Sequence, residues 1–128
     1  MQYIEAAKKL FVWNSVNLIQ SAQLKKSEIG EYFAGVFQVK ANGQNYDANH
    51  DNYFEFLNRF RSTISSIQYE LYDFIVDQAT VAIPLTAHII RTNGQREDFE
   101  AILILKFNQN NKIILWHEVY VKTPTAPV

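Results

Sequence analysis

Residues 80–122, TVAIPLTAHIIRTNGQREDFEAILILKFNQNNKIILWHEVYVK, decide the architecture. Nothing in them recurs at helical spacing. Thr80 to Arg91, Phe99 to Phe107 and Lys112 to Lys122 are rich in Ile, Val, Leu, Phe and Tyr, and Asn93-Gly94 and the run Asn108 to Asn111 separate them with residues that make turns. Together with Ile67 to Val76, set off by Asp77-Gln78, they predict a four-strand antiparallel meander. Pro84 has no N–H to give a ladder, so a bulge or an edge position, and a sharp bend, are expected there.

The N-terminal half has a different rhythm. Ile4, Ala7, Phe11, Leu18 and Ala22 recur at three- and four-residue intervals or their sum, which predicts an amphipathic helix, with a bend where Asn14 interrupts the stripe. Ser27 ahead of Glu28 and Glu31 predicts an N-cap and a short second helix through Phe33, stopped by Gly35. From Val36 the period becomes two, and Asn42-Gly43 supplies the positive φ angles of a tight hairpin ending near Asp47. Tyr53, Leu57, Phe60 and Ile64 then give a third helix from about Asp51, capped by Asn49 or Asp51. The expectation is one α+β domain over residues 1–128, with helices on one side of a sheet and residues 123–128 as a tail.

Composition removes several function classes. With 12 basic against 13 acidic side chains and a formal charge of −1, the chain offers no basic excess to nucleic acid or to an anionic membrane, so neither is an expected partner. The absence of cysteine excludes disulfides, thiolate metal sites and thiol nucleophiles. Its 4 glycines form no phosphate loop, and HExxH and GxSxG are absent, so no cofactor is expected. A metal site built from His88, Glu100 and His117 would rest on residue type alone, and none is expected. The apolar stretch Leu10 to Ile19 contains Asn14, Ser15 and Asn17 and is shorter than the roughly 20 residues that span a bilayer. A cytoplasmic location is the default expectation.

Two strands are apolar on both faces. Ile102 and Ile104 oppose Leu103 and Leu105, and Ile113 and Leu115 oppose Ile114 and Trp116. An antiparallel sheet with helices on one face and water on the other alternates apolar with polar. The economical cover for the second face is a second copy of the sheet, which predicts a homodimer. The alternative cover is the N-terminal helix or the tail.

The order helix, helix, hairpin, helix, sheet resembles the nuclear transport factor 2-like superfamily, also described as cystatin-like. The stretches YFAGVFQVKANGQNYD, YFEFLNRFRSTISSIQYEL and VAIPLTAHIIRTNGQREDFEAILILKFNQNNKIILWHEVY carry the resemblance. The chain is especially similar to the SnoaL-like group, whose last hairpin reads as an aromatic, a turn, Lys-Ile and an acid-bearing strand. Here these are Phe107, NQNN, Lys112, Ile113 and Glu118, with Asn111 where that group usually has Gly. Asn also tolerates the left-handed conformation. The resemblance implies a cone, with three N-terminal helices on a strongly bent, mixed or antiparallel sheet and a small-molecule pocket between them. That pocket hosts isomerases, cyclases, dehydratases and epoxide hydrolases as well as members without known activity.

The resemblance also implies site residues. SnoaL-type cyclases carry a histidine and an acid on neighbouring strands facing the pocket, and His88 and Glu100 fall closest to those positions. If the hairpin at Asn93-Gly94 holds one extra residue, His88 stands opposite Glu100; a strict two-residue turn pairs it with Phe99 instead. A facing pair would perform cofactor-free acid/base chemistry on an apolar, carbonyl-bearing ligand, and the competing interpretation is a structural polar pair. His117 and Glu118 point to opposite faces of a strand. A turn at Asn110-Asn111 sets His117 opposite Ile104 as the pocket candidate and sends Glu118 out with Trp116; a one-residue slip swaps them. Trp13, Tyr32, Tyr46, Tyr53, Thr86, Ile102 and Ile104 complete the expected ligand-binding set. The rival from another class is a non-catalytic dimer that carries a ligand or binds a protein.

Overall fold

The structure, a computed structural model, describes residues 2–124. Helix α1 (Gln2–Asn17) buries Ala7, Leu10, Phe11 and Asn14, the three- and four-residue spacing of one helical stripe. It stops well short of Ala22. Arg61 fixes the chain beyond it by donating from Nη1 to the carbonyls of Ile19 (2.9 Å) and Ala22 (2.6 Å).

The expected second α-helix is a 3-10 helix, Lys26–Glu31. Ser27 does not cap it; Lys25 holds the cap position without a side-chain bond. Phe33 instead opens a strand, because its ring is buried against Phe37 and Tyr53. Strands β1 (Phe33–Ala41) and β2 (Gln44–Asn49) form the expected hairpin, with Ala41 paired to Gln44 across Asn42 (φ 49°) and Gly43 (φ 85°), a primed two-residue turn. Helix α2 (His50–Arg61) opens on a capping box in which the Asn49 and Asn52 side chains each accept from the other's backbone N–H.

The C-terminal half contains β3 (Ile64–Leu71), β4 (Ile75–Asp77), β5 (Thr80–Arg91), β6 (Arg96–Phe107) and β7 (Ile113–Thr123). The expected first strand of the meander is therefore two, and both pair with β5. Pro84 sits where they part. Its carbonyl accepts from Tyr72 N (3.0 Å) beyond the end of β3, so its missing N–H also faces this gap, while pairing with Ile102 of β6 continues without a register shift. Thr123 of the expected tail lies in β7, and residues 125–128 lie outside the described residues.

The strand order is β2-β1-β7-β6-β5-β3. β1 runs parallel to β7, so the N-terminal hairpin joins the meander in one mixed sheet, with the helices packed on one face. Asn42 locks that junction: its Nδ2 donates to Tyr120 O (3.1 Å), its Oδ1 accepts from Tyr120 N (2.8 Å), and its own N donates to Glu118 O (3.0 Å). The hairpin turn thus holds the backbone of Glu118 to Tyr120.

Alternation along the strands separates an inner, helix-covered face from an outer one. Val81, Ile83, Leu85 and Ile89 of β5 and Ala101, Leu103, Leu105 and Phe107 of β6 are buried. Their even-numbered neighbours point outward. No described helix is long and apolar enough to cross a membrane.

Candidate functional site

The β5–β6 register places His88 opposite Asp98, and Thr86 opposite Glu100. His88 and Glu100 therefore share a face, diagonally, but it is the outer face. The expectation that they look inward is corrected by the alternation itself: in both strands the odd-numbered residues carry the core. Thr86, Ile102 and Ile104 are displaced outward with them. His117 pairs with Ile104 as expected, and for that reason it too faces out. None of these side chains reaches the helix-covered face.

What surrounds His88 is a network of polar side chains across β3, β5 and β6. Its Nδ1 lies 2.7 Å from Asp98 Oδ1 and its Nε2 3.1 Å from Glu70 Oε1. Arg96 donates to Asp98 (3.1 Å), and the Tyr72 hydroxyl bridges Glu70 (2.9 Å) and Thr86 (2.7 Å). Both ring nitrogens donate when the imidazole is protonated. Asp98 foremost, then Glu70, raise the His88 pKa against the cost of desolvation. Glu100 is exposed and stands outside this network of bonds.

The inner face holds the other acid. Glu118 pairs with Leu103 on one side and Ala41 on the other, so it points under the helices together with Trp116, opposite to the expected placement. Trp116 packs on Phe11 and Phe33. Removal from water raises the Glu118 pKa, and a hydrogen bond from Trp116 only partly opposes it. Among the described residues no cation pairs with Glu118.

Two tyrosines, Tyr53 and Tyr69, feel its charge, and Tyr46 and Asn14 lie beside them. Tyr69 of β3 is pushed up by burial, then by the charge of Glu118, and eased by a hydrogen bond with Asn14 of α1. Burial raises Tyr53 of α2 most, followed by Tyr46, Glu118 and Tyr69. The buried hydroxyl of Tyr46 on β2 has no hydrogen-bond partner among the described residues, and burial raises its pKa while Arg59 opposes the rise. Tyr46 and Tyr53 were expected in the ligand-binding set; Asn14 and Tyr69 were not. Their signal was present in the sequence, since a polar residue inside the α1 stripe requires a polar neighbour in the core.

Chemically, this arrangement offers a carboxyl group held toward its neutral form beside phenols able to donate hydrogen bonds. Trp13 and Tyr32 belong elsewhere. The Trp13 indole donates to Glu28 (2.9 Å), and the two residues line a surface cleft of about 430 Å³ along α1. Tyr32 also borders a cleft of about 330 Å³ between α1 and the β6–β7 turn. No described group of three His, Asp or Glu side chains is placed to hold a metal ion.

No protein-family model and no curated protein matches the chain. Solved structures do. A proposed polyketide cyclase from Acidithiobacillus ferrooxidans superposes with a TM-score of 0.76 at 12% identity, covering 94% of this chain and 88% of that one. A proposed SnoaL-like polyketide cyclase from Jannaschia sp. CCS1 gives 0.72 at 12% identity, covering 94% and 85%. An LEH-like epoxide hydrolase from M. tuberculosis gives 0.72 at 14% identity, covering 94% and 83%. Identities this low speak to architecture, and the architecture is specific: the chain has the nuclear transport factor 2-like fold found in SnoaL-like structures.

Proposed function

We propose that the chain binds a small, largely apolar, carbonyl- or epoxide-bearing molecule between the helices and the inner face of the sheet, and performs acid/base chemistry on it without a cofactor. The supporting observation is Glu118, a desolvated carboxyl group with no cation partner among the described residues, on the same sheet face as Tyr46 and Tyr69 and under Tyr53 of α2. An acid left under the helices without a cation costs stability, and groups retained at such a cost cluster at functional sites. In this reading the sheet curls around the helices as a cone, and its interior admits the ligand.

Glu118 in its neutral form donates to the ligand's oxygen as negative charge develops there, and the resulting carboxylate takes a proton back from carbon or from water. Tyr53 and Tyr69 supply further donors to that oxygen, Asn14 orients Tyr69, and the unpartnered hydroxyl of Tyr46 binds a second polar atom of the ligand. Fold neighbours described as cyclases and as an epoxide hydrolase are compatible with isomerase, cyclase, dehydratase or hydrolase outcomes.

The test uses 1-tetralone and styrene oxide as probes, with binding read from Trp116 fluorescence in a Trp13→Phe background. Product formation is then followed by chromatography. Binding is expected to survive Glu118→Gln, whereas turnover falls by about 10²–10⁴-fold, the usual contribution of a positioned acid or base. Binding without turnover in the wild-type chain supports a carrier of the same fold, and binding unaffected by both Tyr53→Phe and Tyr46→Phe overturns the site.

A further inference from the structure

Helix α1 carries a second stripe besides the one it buries. Gln2, Glu5, Lys9, Val12 and Val16 succeed one another at three- and four-residue steps, so they share one face. That face is open: Val12 is 65% and Val16 60% exposed. The two surface clefts beside α1 follow this stripe. The cleft of about 330 Å³ takes in Gln2, Glu5 and Lys9, and the cleft of about 430 Å³ takes in Lys9, Val12 and Val16. Lys9 and, from the end of the 3-10 helix, Tyr32 border both. The clefts are therefore two stretches of one groove, roughly 21 Å long from Gln2 to Val16 at about 1.5 Å per residue.

The two stretches differ in chemistry. Beyond Lys9 the walls are Val12, Val16 and the rings of Trp13 and Tyr32, whose centres lie 5.6 Å apart. Lys8 borders this stretch with its Nζ 5.5 Å from the Phe74 ring centre. Before Lys9 the walls are polar, and Glu5 and Glu31 stand with Lys9 and Lys112 in balanced charge. Lys112 Nζ already donates to the Glu31 carbonyl (2.8 Å). Among the described residues Glu5, Glu31 and Lys9 form no ion pair. Asn111 of the β6–β7 turn completes the polar stretch, and its buried Oδ1 has no hydrogen-bond donor among the described residues, a cost that an O–H from a ligand removes.

We propose that this groove binds an amphiphile with an uncharged, hydroxyl-rich head, of the alkyl or acyl glycoside kind, its head between Gln2 and Lys9 and its chain along Val12 and Val16. A hydroxyl both donates and accepts, so one head donates to Glu5, Glu31 and Asn111 Oδ1 while it accepts from Lys9 and Gln2. A carboxylate head only accepts; it leaves Asn111 unsatisfied and meets two acids. A quaternary ammonium head has nothing to donate and meets Lys9. At the junction the Tyr32 ring offers an apolar surface to the C–H face of a sugar ring. Beyond it the chain covers Val12 and Val16, aliphatic surface that α1 otherwise leaves in water.

The groove runs along the exposed flank of α1, whereas Glu118 lies beneath the helices, so this site and the inner one stand or fall separately. Nitrogen–proton correlation spectra of the intact chain read them apart, because Trp13 lines the groove and Trp116 the inner face; loss of one indole signal in Trp13→Phe assigns the two. Octyl β-glucoside below its micelle concentration is expected to shift the Trp13 indole and the Asn111 side-chain amide, with a dissociation constant below about 1 mM, and to leave Trp116 unmoved. Methyl β-glucoside, 1-octanol and octanoate supply the head alone, the chain alone and the chain with a carboxylate head, and each should bind at least about tenfold more weakly.

Two variants locate the ends of the ligand. Val12→Ser combined with Val16→Ser should raise the dissociation constant for octyl β-glucoside by about tenfold. Asn111→Gly keeps the left-handed turn at φ 62° but removes Oδ1, and should raise it by about threefold or more. Val12 and Val16 are exposed and glycine suits that turn, so circular dichroism should match wild type in both. Octyl β-glucoside that leaves the Trp13 indole unmoved, or moves Trp116 in its place, overturns the groove. Octanoate or 1-octanol binding as tightly as the glucoside overturns the hydroxyl-rich head, and methyl β-glucoside doing so overturns the chain.

Discussion

At the scale of single residues, pH separates the inner acid from the outer histidine. The folded-state pKa of Glu118 is raised by desolvation, so the native chain holds that proton more tightly than the unfolded chain. Its contribution is most favourable below the unfolded value near 4.3 and is lost as pH rises through the folded one. Glu118→Gln removes a charge that burial penalises, so thermal melts should show a higher Tm than wild type at pH 8 and little difference at pH 4. A lower Tm at pH 8 would mean that the carboxylate, rather than the acid, is the form the inner face holds. His88 is also raised, first by Asp98 and then by Glu70, so its contribution is fully present below about pH 6.5 and is lost at higher pH. His88→Gln should flatten that upper arm and, because His88 also holds Asp98 and Glu70 down, shrink part of the acid-side loss. Asp98 is lowered first by its bond to His88, and Glu70 first by the Tyr72 hydroxyl and then by His88, and their contribution is lost as pH falls through the folded values. A wild-type melt series should therefore show one loss of stability on the alkaline side that Glu118→Gln and His88→Gln each reduce, and an acid loss that Glu118→Gln leaves in place and His88→Gln makes smaller.

At the scale of elements, two local devices fix how the N-terminal half presents its residues to the sheet. Asn49→Ala removes the side-chain half of the α2 capping box and should cost about 1 kcal/mol in denaturant unfolding. Gly43→Ala has open space for a methyl group but a φ of +85°, so strain of about 1 kcal/mol is expected. Because the adjoining Asn42 also bonds the backbone of Glu118 and Tyr120, Gly43→Ala should additionally raise hydrogen exchange at Tyr120 N–H. Those devices were legible in the sequence, since Asn-Gly between alternating residues and Asn before a helical series act locally. The parallel pairing of β1 with β7 was not, because no local pattern encodes which distant edge a hairpin joins. Nor was the 3-10 helix, where burial of Phe33 in the sheet overrides the helix signals at Ser27 and Glu28. The His117–Ile104 register was read correctly; its face was not. Glu100 and Lys106 lie in the even-numbered set of β6 and Thr86 and His88 in that of β5, while the odd-numbered sets are wholly apolar apart from Arg91 and Glu97 at the hairpin ends. Reading the strands as pairs rather than singly would have turned His88 and Glu100 outward and Glu118 inward.

At the scale of the whole molecule, the two-faced strands distinguish the energy of folding from the energy of association. Leu103 is fully buried within the chain, whereas its neighbour Ile102 is 49% exposed, although both are large aliphatic residues. Leu103→Ala should cost about 2–5 kcal/mol of unfolding free energy, the range for emptying a core site. In a monomer Ile102→Ala should fall within about 0.5 kcal/mol of wild type, as at other exposed positions. If a second copy covers the outer face, as the two-faced strands lead one to expect, Ile102→Ala weakens that association, and melting then depends on concentration as it does for any folded state stabilised by binding. Denaturant unfolding of both variants over a range of concentrations checks this. Leu103→Ala should lower the unfolding midpoint at every concentration, and Ile102→Ala should lower it only where wild type is dimeric. Equal losses at all concentrations would place Ile102 in the core of a single chain and contradict the alternation on which the inner site depends.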